Sequence, residues 1–185
     1  MFNKIILSEI AVYIGEIKMP KNFEIKNSEL IVDIFNSKKQ KKLMSDNELD
    51  YSFNHYKIYL NKQLIQISEY INQHLFEEHK LKLLYENESF GNIYFPNEQS
   101  YNRRLANTFD LRNTCDYVMV LPLDVAKDSC KIVMEYNDNR SFNRSWHIPL
   151  ETNKFILFPS MLRYFISKNL SKQANIFLTQ TYLRT

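Results

Sequence analysis

The densest group of ionisable side chains is the segment from His74 to His79, which carries two histidines and two glutamates. Two histidines that bind one zinc ion from a helix lie four positions apart, about 40° around the helix axis. His74 and His79 lie five positions apart, about 140° around the axis, and therefore do not face one ion together. We interpret the segment as the polar end of a helix, where His79 and Lys80 interact favourably with the C-terminal dipole.

The only two glycines, Gly15 and Gly91, lie far apart in the sequence. Phosphate-binding loops, dinucleotide-binding loops and the nucleophile elbow of serine hydrolases all need glycines close together. These three kinds of site are therefore excluded. His55 and His147 have no neighbour in sequence that suggests a catalytic relay, and we interpret each as structural or exposed.

The two cysteines, Cys115 and Cys130, lie in apolar runs, and a zinc site would need further ligands close to them. Free buried thiols are the favoured interpretation. The first residues do not resemble a secretory signal, and every apolar run is far shorter than the roughly 18 residues of a membrane span. We therefore expect a cytoplasmic protein that does not interact with membranes.

The charge balance of 24 Lys and Arg against 21 Asp and Glu leaves a net charge of +3, too small to indicate a nucleic-acid partner. The lysine-rich run Lys38–Lys42, together with the 12 Tyr and 13 Phe, would suit a groove for single-stranded nucleic acid. A short lysine run is more typical of a solvated loop, and aromatic residues in strands are more typical of a core. Nucleic-acid binding is therefore the less favoured interpretation.

The hydrophobic pattern predicts an α+β protein that is mainly β. With 185 residues and 44% apolar residues, the chain fits one domain, residues 1–185, with an N-terminal strand and helix layer in 1–80 and a β-sandwich core in 81–185. Apolar residues recur every three or four positions from Tyr56 to His79, which indicates an amphipathic helix. The segment Ser28–Phe35 fits either a helix or a strand. The predicted strands are Ile5–Ile17 (one strand or a pair), Leu81–Tyr85, Gly91–Phe95, Asp116–Leu121, Cys130–Tyr136, Lys154–Phe158, Arg163–Ser167 and Asn175–Tyr182.

One C-terminal segment resembles a known family. Leu157-Phe-Pro-Ser160, followed by Leu162, is similar to the L-F-P-S-W-L motif that precedes a metal-binding histidine in the 2-oxoglutarate- and iron-dependent oxygenases, in particular the small branch common in marine phages. The segments Asp116–Pro122, Cys130–Glu135 and Ala174–Thr179 resemble other strands of the family. The resemblance extends over roughly residues 55 to 183, and it implies a double-stranded β-helix, which is a jelly-roll-like sandwich.

The residues at the family's functional positions differ from those that iron binding needs. The resemblance places Tyr164 at the metal-binding histidine after L-F-P-S, and it places Asn107 and Phe109 in the upstream segment that should carry an H-x-D or H-x-H pair. Asp110 is the one carboxylate there, and one carboxylate does not hold iron. Lys172 is the nearest substitute for the arginine that pairs with the co-substrate, and lysine lacks the bidentate fork of arginine.

These differences imply a catalytically silent, phage-associated binding or structural protein that has no cofactor and has a vestigial pocket at Asn107, Phe109, Asp110 and Tyr164. If the pocket stays open, Arg163 and Lys172 would form an anion-binding rim; otherwise Tyr164 fills it. An active oxygenase with atypical ligands, which would use iron and 2-oxoglutarate, is a second interpretation. A viral structural or assembly subunit and a nucleic-acid-binding protein are also compatible with the sequence. We expect a protein partner or self-association, in the host cytoplasm or a virion.

Overall fold

A computed structural model describes residues 10–17, 26–44, 56–102, 114–136 and 144–185, which form two helices and nine strands. The helices are α1 (Asn27–Met44) and α2 (Lys62–His79). The strands are β1 (Tyr13–Glu16), β2 (Tyr56–Ile58), β3 (Leu83–Tyr94), β4 (Tyr117–Asp124), β5 (Lys131–Tyr136), β6 (Arg144–Pro149), β7 (Lys154–Pro159), β8 (Arg163–Ile166) and β9 (Asn175–Arg184).

The strands form a sandwich of two antiparallel sheets. The major sheet has the order β1-β7-β4-β9-β3-β2, and the minor sheet has the order β6-β5-β8. Along β4, Val118 and Val120 belong to the core cluster between the sheets, whereas Met119 and Leu121 belong to the cluster under the helices. Strand β4 is therefore covered on both faces, and the predicted mainly β sandwich with a helix packed on one sheet is confirmed.

Helix α2 packs on the major sheet through an apolar face formed by Leu64, Ile67, Ile71 and Leu75. It begins later than the periodicity predicts, because Asn61 caps the helix by accepting a hydrogen bond from the N–H of Leu64. The residues from Tyr56 to Ile58 instead pair with β3, as their alternation of buried and exposed side chains favours. The prediction of a helix from Tyr56 was therefore wrong for its first turns.

Helix α1 resolves the ambiguous segment Ser28–Phe35 as a helix, with Leu30 and Ile34 fully buried one turn apart. The Nζ of Lys38 lies 4.3 Å from the ring centre of Phe95. Lys38 therefore covers an aromatic side chain from a helix, and the interpretation of the lysine run as a solvated loop was wrong. Neither α1 nor α2 is long and apolar enough to cross a membrane.

Strand β3 covers most of two segments, Leu81–Tyr85 and Gly91–Phe95, that the hydrophobic pattern predicts as separate strands. Both parts pair with β9, and the pairing shifts between Tyr85 and Ser89. Such an irregularity lets one strand continue through a polar stretch, because the partner strand keeps both parts in the same sheet.

A buried hydrogen-bond network fixes α2 to β9. The Gln180 amide donates to the Leu64 carbonyl oxygen and to Ser68 Oγ, each at 3.4 Å, and the Tyr182 hydroxyl donates to Gln180 Oε1 at 3.1 Å. Burial raises the pKa of Tyr182, so its hydroxyl stays protonated and keeps its donor role. The network specifies how the helix sits on the sheet.

Candidate functional site

The space between the two sheets is the candidate site, since the family resemblance places its functional residues there. Tyr164 of β8 points into this space and is fully buried. Its ring centre lies 4.9 Å from that of Phe158 in an edge-to-face arrangement, and Met134 is its neighbour on β5. The position that the resemblance assigns to a metal-binding histidine is thus occupied by a packed aromatic side chain.

The proposed anion-binding residues do not converge on this space. Arg163 precedes Tyr164 in β8, is exposed and therefore points to the outer side of the minor sheet, opposite Glu135 of β5. Lys172 is exposed in the loop between β8 and β9. Asn107, Phe109 and Asp110 lie outside the described residues, so the vestigial pocket that they would form with Tyr164 stays a prediction.

Asn175 is the inward-facing residue that opens the last strand, and sequence reasoning missed it. Its amide nitrogen donates to Ser129 Oγ at 2.9 Å and to Cys130 Sγ at 3.3 Å, and its amide oxygen accepts from the N–H of Ala126 at 3.2 Å. The resemblance places the arginine that pairs with the co-substrate at the start of this strand. In this chain the start of the strand carries the Asn175 amide, which is hydrogen-bonded to the β4–β5 loop. Burial raises the pKa of the Cys130 thiol, which favours its neutral form in this cluster.

A polar strip continues along the inner face of β9 and β3. The Thr179 hydroxyl donates to Asn92 Oδ1 at 2.8 Å, and both residues are buried. Thr181, two residues further along β9, is buried beside Val118 of β4. Among the buried side-chain nitrogen and oxygen atoms of the described residues, Thr181 Oγ1 is the one that has no hydrogen-bond partner. An unsatisfied buried hydroxyl lowers stability by about 1–3 kcal/mol.

Replacing Thr181 with valine should raise the free energy of unfolding by about 1 kcal/mol, because valine has a similar shape and lacks the unsatisfied hydroxyl. The matched control is Thr179→Val, which removes the hydrogen bond to Asn92 and should lower stability by about 1 kcal/mol. Urea denaturation of the two variants measures both effects. Equal destabilisation by both would show that the Thr181 hydroxyl has a partner in solution.

The side chains in the described part of the chain do not fit an iron centre. Within those ranges no three His, Cys, Asp or Glu side chains come together as a metal-binding group. His147 lies on β6 next to inward-facing Ile148, so it points outward, and its Nε2 lies 3.1 Å from Ser145 Oγ. His74 and His79 contact Tyr70 and Tyr13 on the helix side of the major sheet. His55 lies outside the described residues.

Comparison with known proteins gives matches at the level of structure alone, since no protein-family model and no curated sequence matches this chain. An oxidoreductase of the 2OG-Fe(II) oxygenase family from Burkholderia pseudomallei has a TM-score of 0.52 and 9% identity, over 71% of this chain and 66% of that one. This chain thus spans just under two thirds of that protein's length. The prolyl hydroxylase from Trichoplax adhaerens, solved with a peptide fragment of hypoxia inducible factor, has a TM-score of 0.59 and 12% identity, over 93% and 83% of the two chains.

A third structure, the non-heme alpha ketoglutarate dependent carbocyclase SnoK from nogalamycin biosynthesis, has a TM-score of 0.60 and 8% identity, over 94% and 79% of the two chains. The name of the Burkholderia pseudomallei protein gives 2-oxoglutarate and Fe(II), and the name of SnoK gives alpha ketoglutarate, which is 2-oxoglutarate. These names contradict the expectation that no cofactor is involved, and they make iron and 2-oxoglutarate the groups that the fold suggests. At these identities the likeness concerns the fold, and the chain has the double-stranded β-helix fold of the 2OG-Fe(II) oxygenases.

Proposed function

We propose that this chain is an oxygenase-fold protein that acts by binding a protein partner rather than by oxidising a substrate. The observation that supports the proposal is the complete burial of Tyr164 against Phe158, at the position that the family resemblance assigns to the metal-binding histidine. A buried edge-to-face aromatic pair stabilises the sandwich, and in this proposal it fills the space that the resemblance assigns to the metal.

The partner in this proposal is a peptide segment of another protein. Support comes from the Trichoplax adhaerens prolyl hydroxylase, which has the same fold and was solved with a bound peptide. The amide cluster of Asn175 also supports binding without turnover, because its donors are used by Ser129 and Cys130 rather than directed at a small anion. Association with a phage is a further part of the proposal and is supported by the resemblance of Leu157–Ser160.

Turnover of 2-oxoglutarate tests the proposal. Purified protein is incubated with iron(II), ascorbate, oxygen and 2-oxoglutarate, and succinate is measured against a mixture without protein. We expect no succinate above that background. Succinate formed in proportion to both protein and iron would refute the proposal.

An active oxygenase with atypical ligands is the second candidate, and the fold shared with proteins named as 2OG-Fe(II) oxygenases favours it. Under this candidate, Asp110 and the atypical ligand His55 would hold the iron, and Asp110→Ala and His55→Ala would each abolish succinate formation. His147→Ala serves as the matched control, because the His147 side chain points away from the space between the sheets and its loss should leave the rate unchanged.

A further inference from the structure

A groove lies on the helix side of the molecule, between α1 and the loop that joins β2 to α2. Two adjacent cavities of about 470 and 290 Å³ form it, and both are lined by Asp33 of α1 and Asn61 of the loop. Val32 and Asn36 share the outer face of α1 with Asp33, because residues three and four positions apart lie on one face of a helix. We call this cleft the α1 groove.

Hydrogen bonds hold the two walls of the α1 groove together. Asn61 Nδ2 donates to Asp33 Oδ2 at 3.0 Å, and Asn61 Oδ1 accepts from the N–H of Leu64 at 3.0 Å. Ser37 Oγ donates to the carbonyl oxygen of Lys57 at 2.5 Å. The Asp33 carboxylate is therefore held in a defined position before a partner binds, which reduces the entropy lost on binding.

The charge of the Asp33 carboxylate is not compensated, since Asp33 makes no ion pair with a described residue. The larger cavity also has Glu29 and Lys62 on its walls. Lys26 Nζ lies 3.3 Å from Glu29 Oε1, and the Gln63 amide donates to Glu29 Oε2, so Glu29 already has partners. Of the described residues that line the smaller cavity, Asp33 alone is charged. The smaller cavity therefore favours a cationic group.

Exposed apolar side chains lie on both walls of the groove. Tyr59 and Leu60 line the smaller cavity with Asp33, and Val32 lines the larger one. All three are exposed, and Tyr59 is 73% exposed. An exposed tyrosine ring attracts a cation over its face. Arginine combines the properties that this cavity needs, because its guanidinium group is planar, stacks on aromatic rings and binds a carboxylate through two N–H groups.

We propose that the α1 groove binds an extended peptide segment of a partner protein through an arginine side chain. The guanidinium group pairs with the Asp33 carboxylate and lies against the Tyr59 ring, and a neighbouring apolar side chain of the peptide contacts Leu60 or Val32. The inference rests on the proposed binding function and gives it a docking site and a partner class. The groove lies on the opposite side of the major sheet from Tyr164, so this binding leaves the space between the sheets unused.

Fluorescence polarisation with two labelled peptides tests the preference for arginine. The first has the sequence Ser-Leu-Ser-Arg-Ser-Leu-Ser, with blocked ends and an uncharged fluorophore, and the second carries citrulline in place of arginine. Citrulline has nearly the same shape as arginine and no charge. We expect saturable binding of the arginine peptide and at least about tenfold weaker binding of the citrulline peptide. The absence of saturable binding of the arginine peptide, or equal binding of both peptides, would overturn the inference.

Variants test the location. Asp33→Asn removes the charge and keeps an oxygen that accepts from Asn61. We expect it to bind the arginine peptide at least about tenfold more weakly and to bind the two peptides equally. Tyr59→Ala should weaken binding of the arginine peptide at least about threefold, because it removes the aromatic face, and it keeps the test decisive if Asp33→Asn does not fold. Unchanged binding by both variants would overturn the inference.

Asp128→Asn is the matched control for Asp33→Asn. Asp128 is an exposed carboxylate in the β4–β5 loop, and its φ of 56° is a conformation that asparagine adopts readily. This variant makes the same chemical change outside the α1 groove and should bind both peptides as the wild type does. Thermal melts verify that each variant is folded.

Two further outcomes are distinguishable. A dimer in sedimentation that dissociates in Asp33→Asn, without peptide binding by the wild type, would overturn the inference and make a second copy the occupant of the groove. Iron-dependent succinate formation would refute the proposed function whatever the peptides do. Failure of peptide binding without succinate formation would refute the docking site and the partner class alone.

Discussion

Replacing Tyr164 with alanine is expected to lower the free energy of unfolding by about 3 to 5 kcal/mol, the usual cost of deleting a large aromatic side chain from a packed core. The side chain is fully buried and contacts Phe158 edge to face. For a domain of this size the loss corresponds to a decrease in Tm of about 6 to 20 °C. A thermal melt with and without 2-oxoglutarate measures the change.

The matched control is Tyr59→Ala, which removes an exposed tyrosine and should change the Tm by little. A Tm of Tyr164→Ala equal to that of the wild type would show that Tyr164 lies in an open pocket. In that case 2-oxoglutarate should raise the Tm of the wild type more than that of the variant.

Gly91→Ala is expected to destabilise the protein by about 1 to 3 kcal/mol, the usual cost of inserting a methyl group into a packed interior. A Cβ at Gly91 would lie 2.6 Å from Cγ2 and 2.8 Å from Cδ1 of Ile34, which is fully buried on α1. Both distances are far shorter than a van der Waals contact, so α1 would have to move away from β3. Urea denaturation measures the loss.

A double-mutant cycle tests whether the contact with Ile34 causes the destabilisation by Gly91→Ala. Ile34→Ala removes the atoms that meet the new methyl group, so Gly91→Ala should cost at least about 1 kcal/mol less in that background than in the wild type. Gly15→Ala is the matched control, since the atoms it would meet belong to the end of the Phe155 ring beside an edge strand. Equal costs of Gly91→Ala in both backgrounds would show that the α1 contact is not the cause.

The sandwich was predictable because its strands have local signals. Nearly continuous apolar residues from Tyr117 to Leu121 indicate a strand covered on both faces, and the structure places it between two core clusters. The start of α2 was not predictable from periodicity, because the residues from Tyr56 to Ile58 gain more from pairing with β3 than from a further helical turn. The hydrogen bonds of this pairing are made with residues about thirty positions away, so the sequence around Tyr56 contains no pattern that indicates them.

Only the location of one candidate side chain could be predicted, because a motif fixes its register, and its relation to a metal site stays a prediction. The spacing from Leu157–Ser160 indicates Tyr164, and the structure places that side chain between the sheets. Asn175 gives no such signal, because a polar residue before an apolar run usually indicates a turn. Its burial depends on the β4–β5 loop, which supplies Ser129 and Cys130 as hydrogen-bond partners from a distant part of the sequence.

The strand order of the major sheet has a consequence for synthesis on the ribosome. Strand β9, the last of the described strands to be made, lies between β4 and β3 in the middle of the sheet. Strand β1 is made early but pairs late, because Tyr13 pairs with Leu157. The nascent chain therefore exposes unpaired strand edges until nearly all of this sequence has left the exit tunnel, and exposed edges of this kind favour aggregation.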